Sequence, residues 1–309
     1  MTLLTDYSFT RYLAAKKSVD DRALNAFVWS KLAQWLSNSP EHKSLRALEI
    51  GAGIGTMVER LLEKRLLAHA EYTALDNQPE NLQVALERLQ AWGDRHSMKV
   101  DSMLHAVRLD SDQSHVLVSF EPSDVSDFIA RQVSSSGWDL LIAHAFLDLV
   151  DIPSLLPALL KLIRPGGAFY FSLNYDGLTL LEPAIDPPFD ELIQQLYHQN
   201  MDARRLNGKP SGDSHTGRHL FTHLKSSGAQ IWAAGASDWV VHPQAGGYPE
   251  DEAYFLHFII HTIYQALREH PELKAEQFAS WIAERHAQID RCELVYIAHQ
   301  LDFIGSQIA

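Results

Sequence analysis

Three glycines at alternate positions and one acid beyond them are the residues of this 309-residue chain best suited to holding a ligand. The stretch Leu48-Glu49-Ile50-Gly51-Ala52-Gly53-Ile54-Gly55-Thr56 joins an apolar run, Leu45 to Ile50, to a segment where Met57, Val58, Leu61 and Leu62 recur at helical spacing. Glycines at a strand-to-helix turn let the backbone approach a bound molecule, and the free N–H groups opening the helix supply donors and a positive dipole end. Asp76 ends a second strand-like run, Glu71 to Asp76, about 20 residues further on, where a strand–helix–strand unit delivers a carboxylate to ribose hydroxyls. A plain helix cap at Asp76 is the alternative. The dinucleotide fingerprint does not fit, because its third glycine would fall on Thr56 or Val58.

Further candidates lie where later strands end, since ligands of an open parallel sheet meet at the carboxyl ends of its strands. His144 and Asp148 follow the apolar run Trp138 to Ala143, and Asn174, Tyr175 and Asp176 follow Ala168 to Leu173. His144, Asp148, Tyr175 and His215 are the candidates for proton transfer; a buried histidine with no chemical role is the other reading of His144. Asp213 to Arg218 reads as a helix start that points His215 and Arg218 at a substrate, or as an exposed terminus. His215, His219 and His223 fall on one helical face, as do His257 and His261, but no glutamate completes a zinc motif and no cysteine lies near, so no metal is expected.

The elements that must carry these groups alternate. Residues 6–37 read as helices, with Ser18 or Asp20 as cap of the second; Tyr12, Lys16 or Arg22 would fold over the site's mouth, or form a solvated face. Asn77 caps a helix opened by Pro79 and Glu80. Residues 98–120 give a hairpin or an extended strand, Ser123 to Asp127 opens a helix, and Ile152 to Arg164 is another. Arg164-Pro165-Gly166-Gly167 turns into a fifth strand, Ala168 to Leu173. Helix Thr216 to Ser227 and strands Ala229 to Ala236 and Leu294 to Ile304 follow, with two helical stretches, Asp251 to Glu269 and Lys274 to Asp290, inserted between the strands.

The pattern Glu49-x-Gly51-x-Gly53-x-Gly55, the acid Asp76 and the turn Arg164 to Gly167 resemble the class I S-adenosylmethionine-dependent methyltransferases over roughly residues 40–240 plus the last strand. The resemblance implies an α/β, Rossmann-like three-layer sandwich with a seven-stranded, mostly parallel sheet whose last strand is antiparallel. It implies S-adenosylmethionine as cofactor and S-adenosylhomocysteine as product, held by Glu49, Gly51, Gly53, Gly55, Asp76, Asn77, Asp124, Val125 and His144. Asp124 would accept from the adenine amine and the next N–H, that of Val125, would donate to the ring. Asp186-Pro187-Pro188-Phe189 spells a string by which some amino-methyltransferases grip a planar nitrogen, but it follows strand five rather than strand four and reads as a loop.

The domain reading is residues 1–40 as a helical segment, 41–250 with 292–309 as the core, and 251–291 as a helical cap. Together with the N-terminal helices the cap would cover an acceptor pocket of at least about 300 Å³ bordered by Tyr12, His144, Tyr175 and cap aromatics. Arg22, Asn174, Arg218, Tyr254 and Phe258 complete the substrate-binding expectation, and packing of the cap or a homodimer contact is the plainer use of its rings. A net charge of −13 argues against nucleic acid as partner. No signal-peptide core or 18-residue apolar run appears, and the single cysteine forbids an intrachain disulfide, which suits the cytoplasm. A small-molecule methyltransferase is thus expected, against a binding protein without catalysis or an enzyme acting on tRNA or protein.

Overall fold

The computed structural model describes residues 7–38, 44–132, 137–206 and 208–308. The boundary expected at 40/41 and the helix start at Asp6 lie outside them. Two helices open the chain, α1 (Phe9–Ala23) and α2 (Ala26–Ser37). The expected caps Ser18 and Asp20 are interior to α1 instead. Asn25 caps α2, its Oδ1 accepting from Phe27 and Val28 N–H.

Then β1 (Leu45–Ile50), α3 (Thr56–Glu63), β2 (His69–Asp76) and α4 (Pro79–Arg95) form the first strand–helix–strand–helix unit. Gln78, not Asn77, stands at the cap of α4, and the Asp76 carboxylate accepts from its N–H at 2.9 Å. A meander β3 (Lys99–Met103), β4 (Ala106–Ser111) and β5 (Ser114–Pro122) leads to α5 (Val125–Arg131) and β6 (Trp138–His144). After α6 (Ile152–Leu160) comes β7 (Ile163–Glu182), which is 20 residues long.

Two expectations fail there. The helix stops at Leu160, so Arg164 to Gly167 belong to the strand, with a register shift against β6; and the strand does not stop at Leu173, so Asn174 to Asp176 lie within it. The extension exists because β12 (Val295–Gln307) pairs antiparallel with β7 as far as Val295↔Glu182. A partner strand satisfies backbone groups that would otherwise leave the sheet. Between these strands lie α7 (Pro187–Ala203), the short β8 (Arg205–Leu206) and β9 (Lys209–Pro210), α8 (Thr216–Ser226), β10 (Ala229–Ala236), β11 (Trp239–Val241), α9 (Glu252–Leu267) and α10 (Ala275–Asp290).

The sheet order is β10-β12-β7-β6-β1-β2-β5-β4-β3, with β11 beside β12. Seven strands make the expected core, β12 reversed between β7 and β10; the β3–β4 hairpin and β11 bring the sheet to ten. Alternation divides side chains between two faces. Ala47, Tyr72, Ala74 and Tyr170 pack with α2, α3 and α4; Leu48, Ile50, Leu75 and Phe169 pack with α5, α6 and α8. A third apolar cluster joins α1, α7, α9 and α10 to the β7–β12 ribbon where it outruns the parallel strands. The ribbon therefore seats the cap at the carboxyl end of the sheet. Among the described residues no helix is long and apolar enough to cross a membrane.

Candidate functional site

The glycine turn is a left-handed backbone path. Gly51, Gly53 and Gly55 have φ of +67°, +54° and +76°, a region where a Cβ is penalised. At Gly51 space is also absent, since a Cβ would stand 2.2 Å from the Phe146 ring. Gly53 N–H donates to Asp76 Oδ2 at 2.8 Å, so the acid at the end of β2 shapes the turn, and Asn81 adds a contact to Oδ1 at 3.3 Å. Oδ1, which also accepts from Gln78 N–H, is thereby filled, and Oδ2 keeps a lone pair for a ligand.

A cavity of about 290 Å³ opens above this turn. Its lining brings together Gly51, Gly53, Asp76, Asn77, Asp124, Val125 and His144 of the expected cofactor set. Gly55 lies off the lining and serves as the cap position of α3. Glu49 is a correction. Its side chain is buried under the sheet face that carries Tyr72, whose hydroxyl donates to Glu49 Oε2 at 2.7 Å, and burial pushes the carboxyl up to about 8. It supports the strand and does not face the cavity. Asp124 caps α5 through Ser126 N–H at 2.7 Å and still borders the cavity.

The opposite side of the cavity is α1, through Phe9, Leu13 and Lys16. Sequence reasoning named only Lys16 of these. What seats α1 is a buried charge network. Asp20 Oδ2 accepts from Lys16 Nζ at 2.6 Å and Arg60 Nη2 at 3.4 Å, Asp20 Oδ1 accepts from Trp239 Nε1 at 2.9 Å, and Arg60 also pairs with Asp21. Lys16 and Asp20 stand at i, i+4 on α1, a spacing readable in the sequence; Arg60 gave no such signal.

His144 joins this network, with Nε2 3.0 Å from Arg60 and 3.1 Å from Asp20, and Nδ1 2.8 Å from Ser172 Oγ. Burial and Arg60 push the imidazole down to about 4, so it is neutral at pH 7. Both nitrogens are engaged within the protein. That corrects its expected role in proton transfer: the ring is a wall and a strut.

The expected substrate set disperses. Arg22 forks onto Glu252 at 2.6 and 2.8 Å, and Arg218 bonds Asp176 at 2.8 Å, each held away from the cavity by a carboxylate. Asn174 is buried and donates to Leu301 carbonyl, because β7 continues past it. Tyr254 is bonded to the Ser8 backbone, and Phe258 stacks on Tyr12 with ring centroids 4.1 Å apart. His215 contacts Ser214 Oγ at 2.9 Å beside Gly177. Of the four positions expected around one pocket, only His144 lines the described cavity; Tyr12 and Tyr175 lie behind it in the apolar cluster that holds the cap. Tyr175 is bonded to Thr179 at 2.8 Å and His198 Nε2 at 2.7 Å. Asp148 sits in a single 3-10 turn, Leu147–Leu149, with Oδ1 buried and without a hydrogen-bond partner among the described residues; burial raises its pKa. The sequence did not single out Tyr197, His198, Phe146 or Arg60.

Residues 48–169 match a family model described as a methyltransferase domain, a segment running from β1 into β7. No curated protein matches the sequence. Among solved structures, phosphoethanolamine N-methyltransferase 2 of Haemonchus contortus aligns at 13% identity and TM-score 0.43, over 99% of this chain and 59% of that one, so the chain spans well under two thirds of it. A protein described as a type II methyltransferase from Anaeromyxobacter dehalogenans aligns at 16% and 0.46, over 89% and 95%. Geranyl diphosphate C-methyltransferase of Streptomyces coelicolor A3(2) aligns at 8% and 0.42, over 90% and 78%. Likenesses this low carry no argument about activity.

Proposed function

We propose that this chain, which carries the Rossmann-like core of the class I S-adenosylmethionine-dependent methyltransferases, transfers a methyl group from S-adenosylmethionine to a small molecule. The observation that carries the reading is one cavity lined by Gly51, Gly53, Asp76, Asn77, Asp124 and Val125, with left-handed glycines at its floor. Those residue types suit the group: Asp76 and Asn77 for ribose hydroxyls, Asp124 with Val125 N–H for the adenine edge, and Gly51 and Gly53 for close passage of the backbone. When bound, the sulfonium supplies an activated methyl whose leaving group departs neutral.

The protein's own work is then to position the acceptor and exclude water. Phe9, Leu13 and Lys16 of α1 and Phe146, Leu149 and Val150 after β6 complete the lining of the cavity and shield it from water. A small molecule is the reading favoured because α1, α7 and α9 cover the carboxyl end of the β7–β12 ribbon, leaving little room for a polymer. In this reading residues 41–250 with 292–309 are the catalytic core and 251–291 its cap.

Titration calorimetry with S-adenosylhomocysteine tests the proposal. Binding is expected, and Asp76→Ala should weaken it by about 1–3 kcal/mol through lost charge-assisted hydrogen bonds and a loosened Gly53 turn. Preference for NAD, or no loss in the variant, overturns it.

A further inference from the structure

The cavity has an acidic side and a basic side. Asp76 and Asp124 line the first, and on the second Lys16 of α1 is the only lysine or arginine among the described lining residues, His144 being uncharged at pH 7. Lys16 is 6% exposed, and its Nζ carries three donors. One goes to Asp20 Oδ2 at 2.6 Å, and no other acceptor meets the group among the described residues. The Trp239 ring, with its centroid 5.3 Å away, faces the charge without offering a lone pair. Asp148 stands outside the lining, and its buried Oδ1 accepts nothing from Lys16. A buried ammonium with spare N–H groups is costly unless a ligand accepts from them.

Backbone donors stand on the same side. Arg60 ties them to Lys16: its Nη2 is 3.4 Å from Asp20 Oδ2, the acceptor of Lys16, and its Nη1 is 3.3 Å from Thr56 Oγ1. Thr56 lines the cavity and opens α3, and Gly55 before it offers no side-chain cap to the first-turn N–H groups. Those groups and the positive end of the helix dipole therefore face a ligand unsatisfied. Glu59, the acid of that first turn, is held by Arg88 at 3.0 and 2.8 Å. Asp20 is itself divided among Lys16, Arg60 and Trp239, so it does not exhaust the positive charge beside it. A spare ammonium next to the donors of a helix start suits an anion with two acceptor oxygens, which can meet both at once.

We propose that Lys16 is the residue by which this cavity selects a carboxylate: its spare N–H groups, with those opening α3, donate to the two oxygens of a ligand's carboxylate. The inference rests on the methyltransferase reading and adds a specificity-determining residue to it. Two sources carry this chemistry. One is the amino-acid end of the cofactor, and the other is an acceptor that is itself an acid. The placement favours the cofactor, because its nucleoside and its amino acid are opposite ends of one molecule, as the Asp76–Asp124 side and the α1 side are opposite walls of one cavity.

Titration calorimetry on the full chain compares two pairs of probes. The first is S-adenosylhomocysteine and its decarboxylated analogue, which keeps the adenosine, the sulfur and the amine. The second is butanoate and butan-1-ol, titrated with and without saturating S-adenosylhomocysteine. The native chain should prefer S-adenosylhomocysteine to the analogue about tenfold. Lys16→Met should bring that preference within about twofold while leaving the analogue's affinity nearly unchanged. A merely structural role would not do this, since a displaced α1 weakens both ligands alike. Should the variant fail to fold, Lys16→Gln keeps a donor for Asp20 and should cut the preference at least about threefold. Equal binding of the two adenosyl ligands, with butanoate preferred about tenfold to butan-1-ol in the native chain and not in the variant, makes the acceptor the source and upholds the role of Lys16. No carboxylate preference in either pair, or a preference that survives in the variants, overturns the proposal. Failure of both adenosyl ligands to bind, with the butanoate preference intact, overturns the cofactor reading alone.

Discussion

The wall formed by Gly51, Gly53, Asp76 and Asp124 is made of turns at the ends of consecutive parallel strands, whereas the wall formed by Leu13, Lys16, His144 and Phe146 is made of side chains that meet from distant segments. On the first wall a ligand is met by backbone groups whose directions are set by φ and by one carboxylate. On the second, a helix from the start of the chain is seated by buried charges, Lys16 and Asp20 against Arg60, with Trp239 arriving from more than 200 residues away. A wall of turns should break locally when one turn is altered. A wall of long-range contacts should instead fail as a unit, taking stability with it.

The sharpest way to test that contrast is Asp20→Ala. Asp20 is 1% exposed and is the shared acceptor of Lys16, Arg60 and Trp239. Removing it strands Lys16 in a buried position and leaves Arg60 with Asp21, so unfolding in urea should show a loss of about 3–5 kcal/mol. S-adenosylhomocysteine affinity should fall with it, since Leu13 and Lys16 leave the cavity when α1 loosens. A change under about 1 kcal/mol would mean that α1 is seated by its apolar side instead.

Gly51→Ala is the matching change on the other wall. The added Cβ meets Phe146 at 2.2 Å on a backbone with φ +67°. Strain and ring displacement together should cost about 2–4 kcal/mol, read as loss of S-adenosylhomocysteine affinity with a much smaller change in urea midpoint. Equal losses of binding and stability would erase the distinction between the walls.

A third change separates support from contact. Glu49 is raised from 4.5 to about 8 in the folded protein, so the folded state holds a proton that the unfolded chain has lost. Its contribution is therefore present in full below pH 4.5 and is lost as pH rises through 8, with a slope no steeper than about 1.4 kcal/mol per pH unit. Glu49→Gln keeps the acceptor for Tyr72 and removes the titration, so the difference between variant and native stability should grow in the variant's favour across that window. S-adenosylhomocysteine affinity should not move, because Glu49 is outside the cavity. A drop in affinity would return Glu49 to the binding set.

What could be read in advance follows the same division. The Glu49 to Gly55 turn, Asp76 and strand β6 were legible because each is local: apolar runs of strand length, glycines where φ is positive, an acid at a strand end. The reversal of β12 was implied by the family resemblance and by no local pattern. The length of β7 was not, since residues 174–182 are held as strand by β12, more than 100 positions away. Nor was the fate of Arg22 and Arg218, because a sequence does not show that Glu252 and Asp176 wait beside them. The aromatic surplus of α9 was visible, and of the uses open to it the packing one holds for Tyr254 and Phe258, which fasten α1 through Ser8 and Tyr12.

That fastening supplies the smallest expected effect and the finest test of the comparison. Arg11 forks onto Asp251 with both contacts at 2.9 Å and lies 3.9 Å over the Tyr254 ring, so by geometry it ties α1 to the start of α9 as firmly as the buried network does. By environment it does not. The two side chains are 52% and 45% exposed, and water offers both partners nearly equal terms once they separate. Arg11→Ala should therefore cost only about 0.2–1 kcal/mol in urea, shrinking further in 0.5 M salt as the charges are screened. S-adenosylhomocysteine affinity should hold. A loss approaching that of Asp20→Ala would mean that α1 is pinned from its outer face, and that burial of the Asp20 network is not what distinguishes the second wall from the first.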